Sequence, residues 1–89
     1  MQSSEIEIVN KLGLHARAAA KLVKLCGEFR AEIRLGNAGQ MVNGKSIMGI
    51  MMLAASKGTR LNLEASGDDE LEAHRAVSEL IANRFDEDE

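Results

Sequence analysis

The sequence predicts an α+β fold in which three helices cover one face of a four-stranded, mainly antiparallel sheet. Three observations carry this expectation. Three segments alternate apolar and polar residues with period two, as half-buried strands do. Between and after them lie stretches of strong helix formers or helical periodicity, giving the order β-α-β-β-α-β-α. The strands alternate rather than running solidly apolar, so their second face is expected to meet water.

The elements follow in order. Glu5-Ile6-Glu7-Ile8 is the first alternating strand. Ala16 to Cys26 forms the first helix, with Gly27 expected as a left-handed cap. Cys26 falls at helical spacing with Leu22 and Val23, so a buried structural thiol is expected, and as the only cysteine it excludes an internal disulfide. Ala31 to Leu35 alternates again, and Gly36-Asn37-Ala38-Gly39 signals a turn that hairpins residues 31–36 onto a short strand near 40–43. Ser46 to Ala55 reads as the second helix, short and apolar nearly all round, with Ser46 as N-cap and Gly58 beyond its end. Arg60 to Ala65 is the last strand. Asp68 to Phe85 is the third helix, opening on acids that suit the positive end of its dipole, with Ala73, Ala76, Val77, Leu80 and Ile81 on one face. This is a split β-α-β pair with a final helix, expected as one domain over 1–89 with a short acidic tail at 86–89.

Composition narrows the function. The chain has 89 residues, 45% apolar and 28% charged, enough for one core and a small, shallow site. Phe29 and Phe85 are the only aromatics and the net charge is -3, so neither base stacking nor phosphate-backbone attraction favours nucleic acid. There is no apolar run of membrane-spanning length and no export leader, and a cytoplasmic protein is expected. His15 and His74 are far apart and no carboxylate stands four residues after His15, so neither metal nor cofactor is expected. Charge is uneven. Residues 11–45 carry seven cations against two acids, net +5, whereas residues 64–89 carry ten acids against two cations, net -8. An acidic partner steered to the first half would explain that split, although a merely solvated basic face would look the same.

Gly13-Leu14-His15-Ala16-Arg17 lies where a loop enters the first helix. With His15 as N-cap, its imidazole stands beside the amides of Ala16, Arg17 and Ala18, which have no partner within the helix. Those amides and the dipole attract anions and disfavour a cationic ring, so a neutral, nucleophilic imidazole is expected. A phosphoryl group on the ring would find its oxygens stabilised by the amides and by the Arg17 guanidinium. His74, at the edge of the third helix's apolar face, reads as a partly buried structural residue. Gly39-Gln40-Met41-Val42-Asn43-Gly44-Lys45-Ser46 matches the phosphate-binding pattern G-x-x-x-x-G-K-S, but it spans a hairpin strand in a chain too short for the doubly wound sheet that pattern needs.

The Gly13 to Arg17 motif, its small-residue helix, the later run Asn43-Gly44-Lys45-Ser46-Ile47-Met48 and the Lys57-Gly58-Thr59 turn together resemble the HPr/NPr family over essentially the whole chain. These are the histidine-containing phosphocarriers of the bacterial phosphoenolpyruvate-dependent phosphotransferase system. The resemblance implies an open-faced β-sandwich, a monomer, and a carrier rather than an enzyme. It implies that Nδ1 of His15 takes the phosphoryl group from Enzyme I and donates it to IIA components of sugar permeases, with Arg17 assisting. Many members have proline after that arginine, where this chain has Ala18, at some cost in rigidity. Ser46 matches a position that a dedicated HPr kinase/phosphorylase modifies in many members, although an N-cap hydroxyl alone also accounts for it. Ile47, Met48 and Met51 cannot all be buried if Ile50 and Leu53 face the core, and with Lys24 and Lys45 they form the expected docking surface. The nitrogen-related NPr branch is the alternative within the family, on the Asn10-Lys11-Leu12-Gly13 run and the Phe85-Asp86-Glu87-Asp88 ending.

Overall fold

The computed structural model describes residues 1–37 and 39–89; Ala38, in the expected hairpin turn, lies outside the described residues. The elements are β1 (Gln2–Glu7), α1 (Ala16–Cys26), β2 (Glu32–Asn37), β3 (Gln40–Asn43), α2 (Ile47–Met52), β4 (Arg60–Ser66) and α3 (Glu70–Ala82). The four strands form one sheet in the order β1-β4-β2-β3 with every pair antiparallel. Period-two alternation sets its two faces. Ile33, Leu35, Leu61, Leu63 and Ala65 point inward and are buried, with Leu35 opposite both Leu63 and Val42. Glu5, Glu7, Glu32, Arg34, Arg60 and Asn62 are exposed on the other face, which stays open to water.

The helices close the inner face. Ala18, Ala19, Leu22 and Cys26 of α1 are buried, as are Ile50 of α2 and Ala73, Val77 and Ile81 of α3. The backbone of α1 approaches α2 and α3 and that of α3 approaches β1 and β4, with the small alanines at 18, 19 and 73 all buried. Burial also pushes the Cys26 thiol up to about 12, against a weaker opposing effect of Lys45, which fits a structural thiol.

Several element ends differ from expectation, among them β1, which spans Gln2–Glu7 and leaves Ile8 beyond it. Gly27 is right-handed (φ -65, ψ -14), not left-handed: its amide still bonds Val23 O, and Glu28 and Phe29 follow with tightened bonds to Leu25 O and Cys26 O. The second helix stops at Met52 rather than Ala55. Ala54 turns to φ 48, and the carbonyl of Ala55 is drawn off to accept the Leu14 amide at 2.9 Å. The third helix runs from Glu70 to Ala82 rather than from Asp68 to Phe85. Asp69 does not cap its own helix; its carboxylate accepts the amides of Arg30 (2.9 Å) and Ala31 (2.8 Å), and these bonds hold its carboxyl below the usual range. At the other end Arg84, Phe85 and Asp86 take φ values of 59, 53 and 63. Left-handed backbone disfavours each of these side chains, and complete burial of the Phe85 ring offsets that cost. The turn sends residues 86–89 back over the start of α1.

Candidate functional site

The loop before α1 is built by backbone contacts. Gly13 has φ 68, and a Cβ there would lie 2.4 Å from Ala55 O, so only glycine allows this approach. With the Leu14 amide bonded to Ala55 O and Leu14 buried, residue 15 is delivered to the amino end of α1. His15 is the N-cap, as expected, with extended backbone (φ -75, ψ 176) and no side-chain capping bond. The first helical bond runs from Ala19 N–H to His15 C=O, so the amides of Ala16, Arg17 and Ala18 precede the hydrogen-bond ladder. Ala18 is buried, whereas Arg17 is exposed.

The imidazole is not free in a loop. Its side chain is 27% exposed, and Nε2 lies 2.5 Å from Oε2 of Glu87, itself 16% exposed. Oε1 of Glu87 accepts from Nδ2 of Asn10 at 3.0 Å, and the same amide group donates to Gly13 O at 2.8 Å. Burial works to raise the Glu87 carboxyl, but hydrogen bonds from Asn10 and His15 and the charges of His15 and Lys21 outweigh it and hold the group below its ordinary value. A shallow depression lies beside Glu87, with Arg17 and Lys21 as its basic residues, residues 86–89 as its acidic ones and Leu12 beside them. Lys21 Nζ donates to Phe85 O at 2.8 Å, while Lys11 reaches Glu89 through its amide (2.7 Å) and its Nζ (3.2 Å).

His15 and Arg17 both lie at the amino end of α1, the first as N-cap and the second exposed in the first turn. Glu87, Asn10 and Lys21 were not singled out from sequence as site residues; they appeared there only within the Asn10 and Phe85 runs and the basic stretch 11–45. Ser46 caps α2, its Oγ accepting the Gly49 amide at 3.1 Å. Ile47, Met48 and Met51 are exposed, Met48 at 77%, and Met52 and Leu12 add to the apolar surface. Lys24 is exposed; Lys45, also exposed, spends its Nζ on Phe29 O at 2.7 Å and so braces the end of the α1–β2 loop. His74 is half-buried and contacts Ser4 Oγ at 2.8 Å, in keeping with a structural role. The segment matching the nucleotide pattern spans antiparallel β3 and the start of α2, not the parallel strand and long helix that a phosphate loop requires.

An open-faced antiparallel sheet covered by helices, with a histidine at the amino end of the first, defines a small α+β domain with one half-buried helix-capping histidine. The family model for the PTS HPr component phosphorylation site matches residues 2–83. The phosphocarrier protein HPr of Pseudomonas aeruginosa is 57% identical over the full length of both chains. The crystal structure of HPr-C-His from Thermoanaerobacter tengcongensis superposes with a TM-score of 0.95 at 46% identity, covering all of both chains. A phosphocarrier protein NPr, from Klebsiella oxytoca, is more distant at 43% identity over 93% of each chain. The chain belongs to the HPr family, the phosphocarrier proteins of the phosphotransferase system.

Proposed function

We propose that this chain takes a phosphoryl group from phosphorylated Enzyme I onto Nδ1 of His15 and passes it to IIA components of the carbohydrate phosphotransferase system. What supports the reading is the N-cap placement of His15, which heads a helix whose first three amides lie outside its hydrogen-bond ladder, with an exposed Arg17 two residues on. Fixed N–H dipoles and a cation aimed at the equatorial oxygens stabilise the charge that spreads there during transfer. The Nδ1 lone pair forms the new bond to phosphorus as the bond to the donor's atom breaks, and that bond's electron pair stays with the donor. On this reading the chain acts as a carrier rather than an enzyme, working as a monomer in the cytoplasm. The carbohydrate branch is favoured over NPr because the NPr relative is the more distant one.

Docking falls to the exposed Ile47, Met48 and Met51, whose flexible side chains suit successive partners, with Lys24 and Lys45 supplying positive charge. Ser46, at the edge of that surface, is the residue that an HPr kinase/phosphorylase would modify. The test is to mix the protein with purified Enzyme I and phosphoenolpyruvate and to assay for an acid-labile phosphoryl adduct. The parent should be labelled and His15→Ala should not, with a stability loss of about 1–3 kcal/mol, the scale of a lost hydrogen bond to a charged group. Full labelling of folded His15→Ala would overturn the assignment.

A further inference from the structure

The contact between Glu87 and His15 joins residues 72 apart in sequence and is held from several sides. Phe85 anchors the returning chain in the core, Lys21 binds its carbonyl, and Lys11 binds Glu89. Behind the carboxylate stands Asn10, which is fully buried. Its Nδ2 donates to two acceptors, and its Oδ1 meets no donor among the described residues, so the side chain is held for its donors alone. The two Glu87 oxygens thus differ in role, since Oε1 takes the Asn10 amide and Oε2 faces the imidazole. An ionised carboxylate can only accept, so the ring nitrogen facing it is the one that carries hydrogen.

We propose that Glu87 is a positioning residue for phosphoryl transfer, its Asn10-held carboxylate keeping the proton of His15 on Nε2 so that the Nδ1 lone pair faces the incoming group. The proposal rests on the reading of His15 as the carrier. When Nδ1 bonds to phosphorus and the donor bond breaks with its pair left on the donor, the Nε2 proton stays on the ring and the imidazole becomes cationic. A carboxylate fixed on that N–H stabilises the developing positive charge, as a buried aspartate does behind the histidine of a serine protease triad. The other acids act in the opposite sense. Asp86, Asp88 and Glu89 line the depression across from Arg17 and Lys21, where their charge repels an incoming phosphoryl group. Removing one negative charge from this segment should therefore have opposite effects at position 87 and at its neighbour.

Two measurements on the full chain test this. Nitrogen-15 spectra of the unphosphorylated His15 ring in mildly alkaline solution should show Nε2 protonated and Nδ1 bare, with the Nε2 proton exchanging faster with solvent in Glu87→Ala. Quenched-flow phosphorylation by Enzyme I and phosphoenolpyruvate should be about tenfold slower in Glu87→Gln, the effect of weakening one charge-assisted hydrogen bond, while Asp88→Asn should react at least as fast as the parent. Thermal melts of both variants separate this from a loss of folding. A protonated Nδ1 in the parent, or a Glu87→Gln protein that accepts the group as fast as the parent, would overturn the role given to Glu87 alone. A parent that accepts no phosphoryl group would overturn the carrier reading and this proposal with it.

Discussion

Replacing Gly13 with alanine tests how the loop ahead of His15 is fixed, and Gly58 provides an internal control. Both glycines have left-handed backbone, with φ of 68 and 91, so an alanine at either is strained by about 1–2 kcal/mol. Their surroundings differ. A Cβ at Gly58 meets nothing within 4 Å, whereas at Gly13 it would lie 2.4 Å from Ala55 O and 2.9 Å from Ser56 Cα. Those are backbone atoms and cannot swing aside as a flexible side chain would. Relieving the collision means separating the loop from residues 55–56 and weakening the bond from Leu14 N–H to Ala55 O, a further cost of about 1–3 kcal/mol. At about 4–8 °C per kcal/mol for a domain of this size, Gly58→Ala should melt about 4–16 °C below the parent and Gly13→Ala about 8–40 °C below it. Scanning calorimetry of the three proteins, checked by urea unfolding, measures the difference. Gly13→Ala should also accept the phosphoryl group more slowly, since the same loop delivers His15, while Gly58→Ala should leave acceptance unchanged. Equal losses of melting temperature would refute the claim that close approach to Ala55, beyond positive φ, requires glycine at position 13.

The cap at Ser46 leads to a split outcome: Ser46→Asp should keep or raise the melting temperature, because a carboxylate also caps and suits the dipole, yet slow phosphorylation by Enzyme I through charge beside Ile47 and Met48. An Asp variant that transfers as fast as the parent would remove this helix end from the docking surface. Association with Enzyme I should weaken steeply with added salt, with Arg17→Ala slowing transfer itself and Lys24→Ala slowing mainly encounter; salt-independent association rates would contradict steering. The depressed Glu87 carboxyl gives a sign for acid behaviour. Its contribution to stability is complete above the ordinary glutamate value of about 4.3 and is lost as pH falls through the lower folded value, so parent and Glu87→Gln melting curves should converge at low pH. A gap between them that widened on acidification would refute that sign.

Much of the fold could be read directly because its signals are local. Period-two alternation at 31–35 and 60–65 became β2 and β4, and the small-residue run 16–26 became α1 to the residue. The histidine at a loop-to-helix junction and the serine ahead of α2 took the cap positions expected of them, since an N-cap is decided by a few neighbouring residues. Exposure of Ile47, Met48 and Met51 followed from helical geometry once Ile50 faced inward.

Element ends and the surroundings of His15 were decided elsewhere. Asp69 was expected only as one of the acids opening the third helix, and its carboxylate instead holds the amides of Arg30 and Ala31, 39 and 38 residues away, in the loop between α1 and β2. Helical periodicity carried α3 through Phe85, but one more right-handed turn was set against burying the largest side chain in the core, and burial prevailed. That reversal brings Glu87 onto His15. The sequence by itself determined which histidine heads a helix and which residues face the core, because periodicity and capping act within a turn or two of chain. Only the tertiary structure decided which carboxylate faces that histidine, because the contact depends on the volume left for Phe85 once sheet and helices have packed.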